Sequence, residues 1–104
     1  MILKVISGDA TMLEEIAIKL LKKKLLANAT LDAAAMHYEA NDADEVVAEK
    51  KYILSGISKS LLFKQINSFL RETYGESMPL LYSEPIIMFD PEHTDQVLSK
   101  LIKT

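Results

Sequence analysis

The stretch that most limits what this chain can fold into is Ala17–Leu31, AIKLLKKKLLANATL. Its first half continues an apolar stripe at helical spacing. Its second half consists of small residues alternating with polar ones, as in a strand. A helix that runs with almost no turn into a strand must lie back across the sheet which that strand enters. The chain is thereby committed to helices covering one face of a sheet.

The flanking segments extend this pattern. Ile2–Ser7 (ILKVIS) is β-rich, short and closed by Gly8-Asp9, which reads as a buried first strand. Thr11 and Glu14 have the spacing of a capping box, and Leu13, Ile16, Ala17, Leu20 and Leu21 form the stripe of the first helix. From Ala27 to Ala40 the period changes. Ala27, Ala29, Leu31, Ala33 and Ala35 would line one face, with Asn28, Thr30 and Asp32 on the other. Alanine also favours helix, so a helix is the competing reading; the alternation favours a strand. Asn41–Glu45 (NDADE) is a polar turn, and Val46–Ile57 is a third extended run. Ser58 or Ser60 could cap a second helix striped by Leu62, Phe63, Ile66, Phe69 and Leu70, and Gly75 suits its end. Leu80–Phe89 is strand-like but contains Pro85, which places it at an edge or breaks it. Asp90-Pro91-Glu92 then starts a last helix, with Val97, Leu98, Leu101 and Ile102 as its apolar side.

The order is β-α-β-β-α-β plus a C-terminal helix. It predicts one α+β domain over residues 1–104, a ferredoxin-like sandwich with helices on one antiparallel sheet. The second and third strands are long for so small a domain. A dozen residues span roughly 40 Å as strand, whereas a fifteen-residue helix covers about 22 Å. Their hairpin should overhang the helices, exposing Tyr38 and part of Val46–Glu49, and burial against copies of itself is the simplest remedy. A homo-oligomer is expected.

Composition excludes several function classes. The net charge is −3, so no basic field attracts nucleic acid or an anionic membrane. There is no cysteine, which rules out disulfides, thiolate metal sites and thiol nucleophiles. The N-terminal MILKVIS lacks the pattern of a signal peptide, and a cytoplasmic location is expected.

Several segments together resemble the CutA divalent-cation-tolerance family. Members carry a helix ending like LLKERLxACxNL, and Leu20–Leu31 reads LLKKKLLANATL without a gap. Tyr38 stands at the family's tyrosine late in the second strand. Phe63, Ile66 and Leu70 fall on its helix-two apolar positions. Pro79, Pro85 and Pro91-Glu92 match its proline-led fourth strand and last helix start. The resemblance covers essentially the whole chain, with a small insertion in the acidic turn. It implies a ferredoxin-like homotrimer with long hairpins packed around a threefold axis, similar in plan to PII signalling proteins. It also implies a link to tolerance of copper or another divalent cation. The polar motif residues depart from it: Asn28 replaces a cysteine, Thr30 an asparagine, Ala40 a tryptophan and Ile57 a lysine. The family's His-Pro-Tyr-x-x-Pro aligns with Tyr74–Pro79, YGESMP, which keeps only the proline.

Candidate chemistry is sparse. Copper(I) prefers soft ligands and copper(II) accepts imidazole, but only His37 and His93 are present and Met12, Met36, Met78 and Met88 show no cluster spacing. His37 becomes a metal site only if a threefold axis gathers three copies. Asp42, Asp44 and Glu45 lack the glycine and distal glutamate of a calcium loop and read as a solvated turn. The lysine run Lys22–Lys24 suits a helix C-terminus. Tyr38 and Tyr74 fall in segments that bound an inter-subunit cleft in the family; Glu76 and Asn28 complete the candidate cleft residues. No nucleophile–base pair or phosphate loop is present, so no enzyme is expected. The readings are a CutA-like binding or regulatory trimer, a PII-like sensor of a small molecule or anion, or a structural trimer without ligand.

Overall fold

The computed structural model describes residues 1–103. The chain forms β1 (Ile2–Ser7), α1 (Ala10–Lys22), β2 (Thr30–Ala40) and β3 (Val46–Ile57), then α2 (Phe63–Tyr74), β4 (Leu80–Glu84) and α3 (Pro91–Leu98). Short 3-10 turns, Ser60–Leu62 and Gly75–Ser77, flank α2. The strands make one sheet in the order β2-β3-β1-β4, and every pairing is antiparallel. This is the expected ferredoxin-like arrangement.

Register divides the sheet into two faces, because residues paired across strands share a face. Leu3, Val5 and Leu54 point to the helices and are buried with Leu13, Ile16 and Leu20 of α1 and Ile66 and Leu70 of α2. That cluster is the core, and truncating any of these leucines costs about 2–5 kcal/mol. The other face carries Ile2, Ile6, Ile53, Ile57, Leu80 and Tyr82, with Lys4 and Ser55 between them, and its apolar side chains stay half-buried or exposed.

Several local readings need correction. Asp9, not Thr11, caps α1: its Oδ1 accepts the Met12 N–H at 3.0 Å, three residues on. The helix-to-strand join is also longer than expected, since α1 ends at Lys22 and β2 starts at Thr30. Lys24 has φ of 59°; its N–H donates to the Leu21 carbonyl and the Leu25 N–H to the Leu20 carbonyl. That is a Schellman motif with lysine where glycine is usual. Leu25, Leu26 and Ala27 then bury themselves in the core as an irregular segment. The alternation predicted through Ala35 fails at a bulge between Asp32 and Ala35, where β2 carries one residue more than β3.

Neither Ser58 nor Ser60 caps α2. The Ser58 side chain is buried, 2% exposed, and its hydroxyl donates to the Leu25 carbonyl at 2.7 Å. Other punctuation falls where expected. β4 is an edge strand that stops before Pro85, Gly75 ends α2 with φ of 55°, and the Asp90 carboxylate accepts the Glu92 N–H at 3.1 Å above Pro91. The ψ of Gly75 is −124°, outside the left-handed helical region.

The hairpin overhangs. β1 pairs with β3 only as far as Ser7 opposite Tyr52, while β2 and β3 continue together to Ala40 opposite Val46. The longest dimension of the chain is 48 Å as a result. At the tip, the Asn41 Oδ1 accepts the N–H groups of Ala43 and Glu45, each at 3.0 Å, and Asp44 takes φ of 61°. This is a three-residue hairpin loop built on a type I turn. The turn makes structural use of the acidic segment.

Candidate functional site

Beyond the end of β1 the hairpin has no third strand beside it, and a notch forms where β1, the start of β4 and the overhang meet. Period-two alternation puts His37, Glu39 and Lys51 on that other face of the sheet, together with Ile6 and Leu80. Ser7, Gly8, Ser77, Met78 and Pro79 complete a cavity of about 330 Å³. His37 Nε2 lies 3.6 Å from the Glu39 carboxylate, and Lys51 Nζ lies 3.3 Å from the Glu49 carboxylate. The Lys51 side chain is only 22% exposed. The Ser7 Oγ accepts the Asp9 N–H at 3.0 Å, which leaves its own proton free to donate.

The opposite end of that face is apolar. Ile86 and Phe89, from the segment after β4, line two adjoining cavities of about 170 and 450 Å³ with Ile57. Met1, Val97 and Leu98 wall the smaller one. Asn28, Thr30 and Ser55 supply the polar rim of the larger.

The predicted site residues therefore separate. His37 lies in the polar notch and Asn28 on the rim of the apolar groove. The Asn28 side chain is already engaged structurally, since its Oδ1 accepts the Ile57 N–H at 3.0 Å and extends the β2–β3 pairing ahead of the start of β2. Tyr38 is 65% exposed on the overhang, on the face shared with Met36, Ala40, Val46 and Ala48. Tyr74 packs at the end of α2 beneath Lys19, whose Nζ sits 5.5 Å from the ring centroid. The hydrogen bond from Lys19 to Glu15, 3.1 Å, raises the lysine pKa above its ordinary value. Glu76 is exposed in the turn after α2. Tyr38, Tyr74 and Glu76 line none of these three cavities within one chain. Among the described residues, no three His, Asp or Glu side chains cluster closely enough to hold a metal ion. No helix among them is long and apolar enough to cross a membrane.

Sequence reasoning misses Glu39, Lys51, Ser7 and Ser77. The available signal is the two-residue spacing of 37 and 39 and of 49 and 51, which puts all four on one face once His37 is known to pair with Glu49.

No protein-family model matches the sequence, and no curated protein does. Solved structures do. The chain superposes on CutA1 from Oryza sativa with a TM-score of 0.87, at 11% identity, covering 99% of this chain and 94% of that one. The fold is that of the CutA proteins. The divalent cation tolerance protein of Thermus thermophilus gives a TM-score of 0.85 at 15% identity, covering 96% of each chain. The protein described as the periplasmic divalent cation tolerance protein CutA of Archaeoglobus fulgidus gives 0.83 at 17% identity, covering 95% of each. At this identity the likeness is one of fold.

Proposed function

We propose that the chain is a CutA-like, non-catalytic binding or regulatory protein that acts as a homotrimer and serves tolerance of divalent metal such as copper. The observation that carries this reading is the unfinished surface of the single chain. Met36, Tyr38 and Val46, exposed by 56%, 65% and 74%, share one face of an overhang that has no third strand. The sheet face opposite the helices displays an apolar row from Ile2 to Tyr82. Isolated hairpins of this kind are marginal in water, and closed cyclic assembly buries such surfaces without leaving edges. The knobs on the hairpin and the apolar grooves beneath Phe89 lie on different surfaces, so pairing between them is head-to-tail and forms a ring when the rotation between copies closes.

The metal link rests on the CutA fold and on His37. One chain offers an imidazole and the nearby Glu39 carboxylate, a donor pair that suits copper(II) or zinc but is too small for a site on its own. A threefold axis through the hairpins would multiply it by three. Light scattering on a sizing column should give three times the chain mass of 11.7 kDa. A stable monomer refutes the assembly. Calorimetry with copper(II) and zinc should show binding that His37→Ala abolishes, and silence with both metals refutes the metal link. A second reading, sensing of a small metabolite, is favoured by the polar notch and its partly buried Lys51.

A further inference from the structure

Resting on that second reading, we infer that the notch beside His37 binds a free α-amino acid with an apolar side chain. Its charges set the ligand class. Lys51 supplies one ammonium, Glu39 one carboxylate, and the His37 imidazole stands beside Glu39. Opposite charges lining one small cavity match a zwitterion better than a simple anion or cation. The carboxylate of the ligand would meet Lys51 and the Ser7 hydroxyl, and its ammonium would meet Glu39. Ile6, Met78, Pro79 and Leu80 form the apolar remainder of the lining, which suits a hydrocarbon or thioether side chain.

Size and charge exclude the main rivals. A cavity of about 330 Å³ lies at the small end of ligand pockets, enough for one metabolite of amino-acid size. A nucleoside triphosphate carries about four negative charges, which one ammonium beside a carboxylate cannot neutralise. The Lys51 pairing with Glu49 positions the ammonium without closing the notch, because Glu49 is not part of the lining.

The test uses the assembled protein with L-leucine and L-methionine as probes, read by calorimetry and thermal shift. At roughly 10 mM either amino acid should raise the melting temperature. The analogues 4-methylpentanoate, lacking the ammonium, and isoamylamine, lacking the carboxylate, should not. Lys51→Gln and Glu39→Gln should each weaken leucine binding by about tenfold or more, the loss expected for one charge-assisted contact. No shift with either amino acid, or equal shifts with the analogues or with malate, overturns the assignment. The analogue comparison needs no variant, so a poorly folding substitution does not blunt it. Trimer mass reports on the assembly independently, so failure here and failure of the oligomer are separate results.

Discussion

Gly56 marks a place where two backbone segments approach too closely for any side chain to fit between them. It sits in β3 opposite Leu3 on the helix-facing side, with the irregular segment after α1 lying against it. A Cβ built there would stand 2.4 Å from the Asn28 carbonyl oxygen and 2.9 and 3.1 Å from the two Leu26 methyls. The methyls can yield a little; the carbonyl cannot. It belongs to a backbone pinned by the Ala27 N–H donating to the Ile57 carbonyl at 2.8 Å and by the Ile57 N–H donating to Asn28 Oδ1. Relieving the clash means overpacking, about 1–3 kcal/mol, plus weakening one or two hydrogen bonds at about 0.5–1.5 kcal/mol each. Alanine regains about 0.5–1 kcal/mol through the unfolded state. The net expectation for Gly56→Ala is a loss of about 3 kcal/mol, the middle of a combined range from about 0.5 to about 5.5 kcal/mol. Urea denaturation at fixed protomer concentration measures it as a lower midpoint with an unchanged slope. Gly8→Ala is the control: its nearest new neighbour is the Lys50 carbonyl oxygen at 3.7 Å, an ordinary contact. It should be neutral or slightly stabilising. If Gly56→Ala is as stable as the parent, the close approach of the two segments is wrong.

Three further outcomes follow from local geometry. Asp9→Ala should cost about 1 kcal/mol by removing the α1 cap, whereas Thr11→Ala should stay within about 0.5 kcal/mol; the reverse order in thermal denaturation restores the capping-box reading. Lys24→Gly should stabilise by about 0.5–1 kcal/mol, because a left-handed lysine is strained and glycine is not, while Lys23→Gly, in right-handed backbone, should destabilise. Ser58→Ala should lose about 1–2 kcal/mol by removing the donor to the buried Leu25 carbonyl, and denaturant midpoints on the same scale would expose a neutral effect.

Much of what is decided within a few residues is legible in the sequence. Pro85 ends its strand, Asp90 with Pro91 starts its helix, and the stripes of α1 and α2 face inward because each rests on local stereochemistry and one period. The cap of α1 is misread by two residues because Asp9 and Thr11 both carry side-chain oxygens suited to a cap, and Thr11 with Glu14 matches the capping-box spacing. The bulge in β2 falls in Ala33-Ala34-Ala35, where three identical residues give no sign of which face each takes. Ser58 and Asn28 are beyond reach for another reason: their hydrogen-bond partners, Leu25 and Ile57, are 33 and 29 residues away. The notch illustrates the same limit. His37 stands out by its chemistry, but Lys51 and Glu39 gain meaning only when the register of the hairpin places them beside it.

The extra residue in β2 acts as a frame marker for everything beyond it. Before the bulge, odd-numbered Leu31 faces the helices; after it, even-numbered Met36 and Tyr38 do, and odd-numbered His37 and Glu39 take the other side. Deleting a single alanine between Asp32 and Met36 removes the residue that β3 leaves unpaired, and the strands close into a regular ladder with Met36 still opposite Lys50 and His37 opposite Glu49. Both sets keep their faces, because pairing with β3 fixes them, and what is lost is the local bend and extra twist of β2. Length changes at the Asn41–Glu45 tip likewise leave those faces alone as long as the ladder keeps its register.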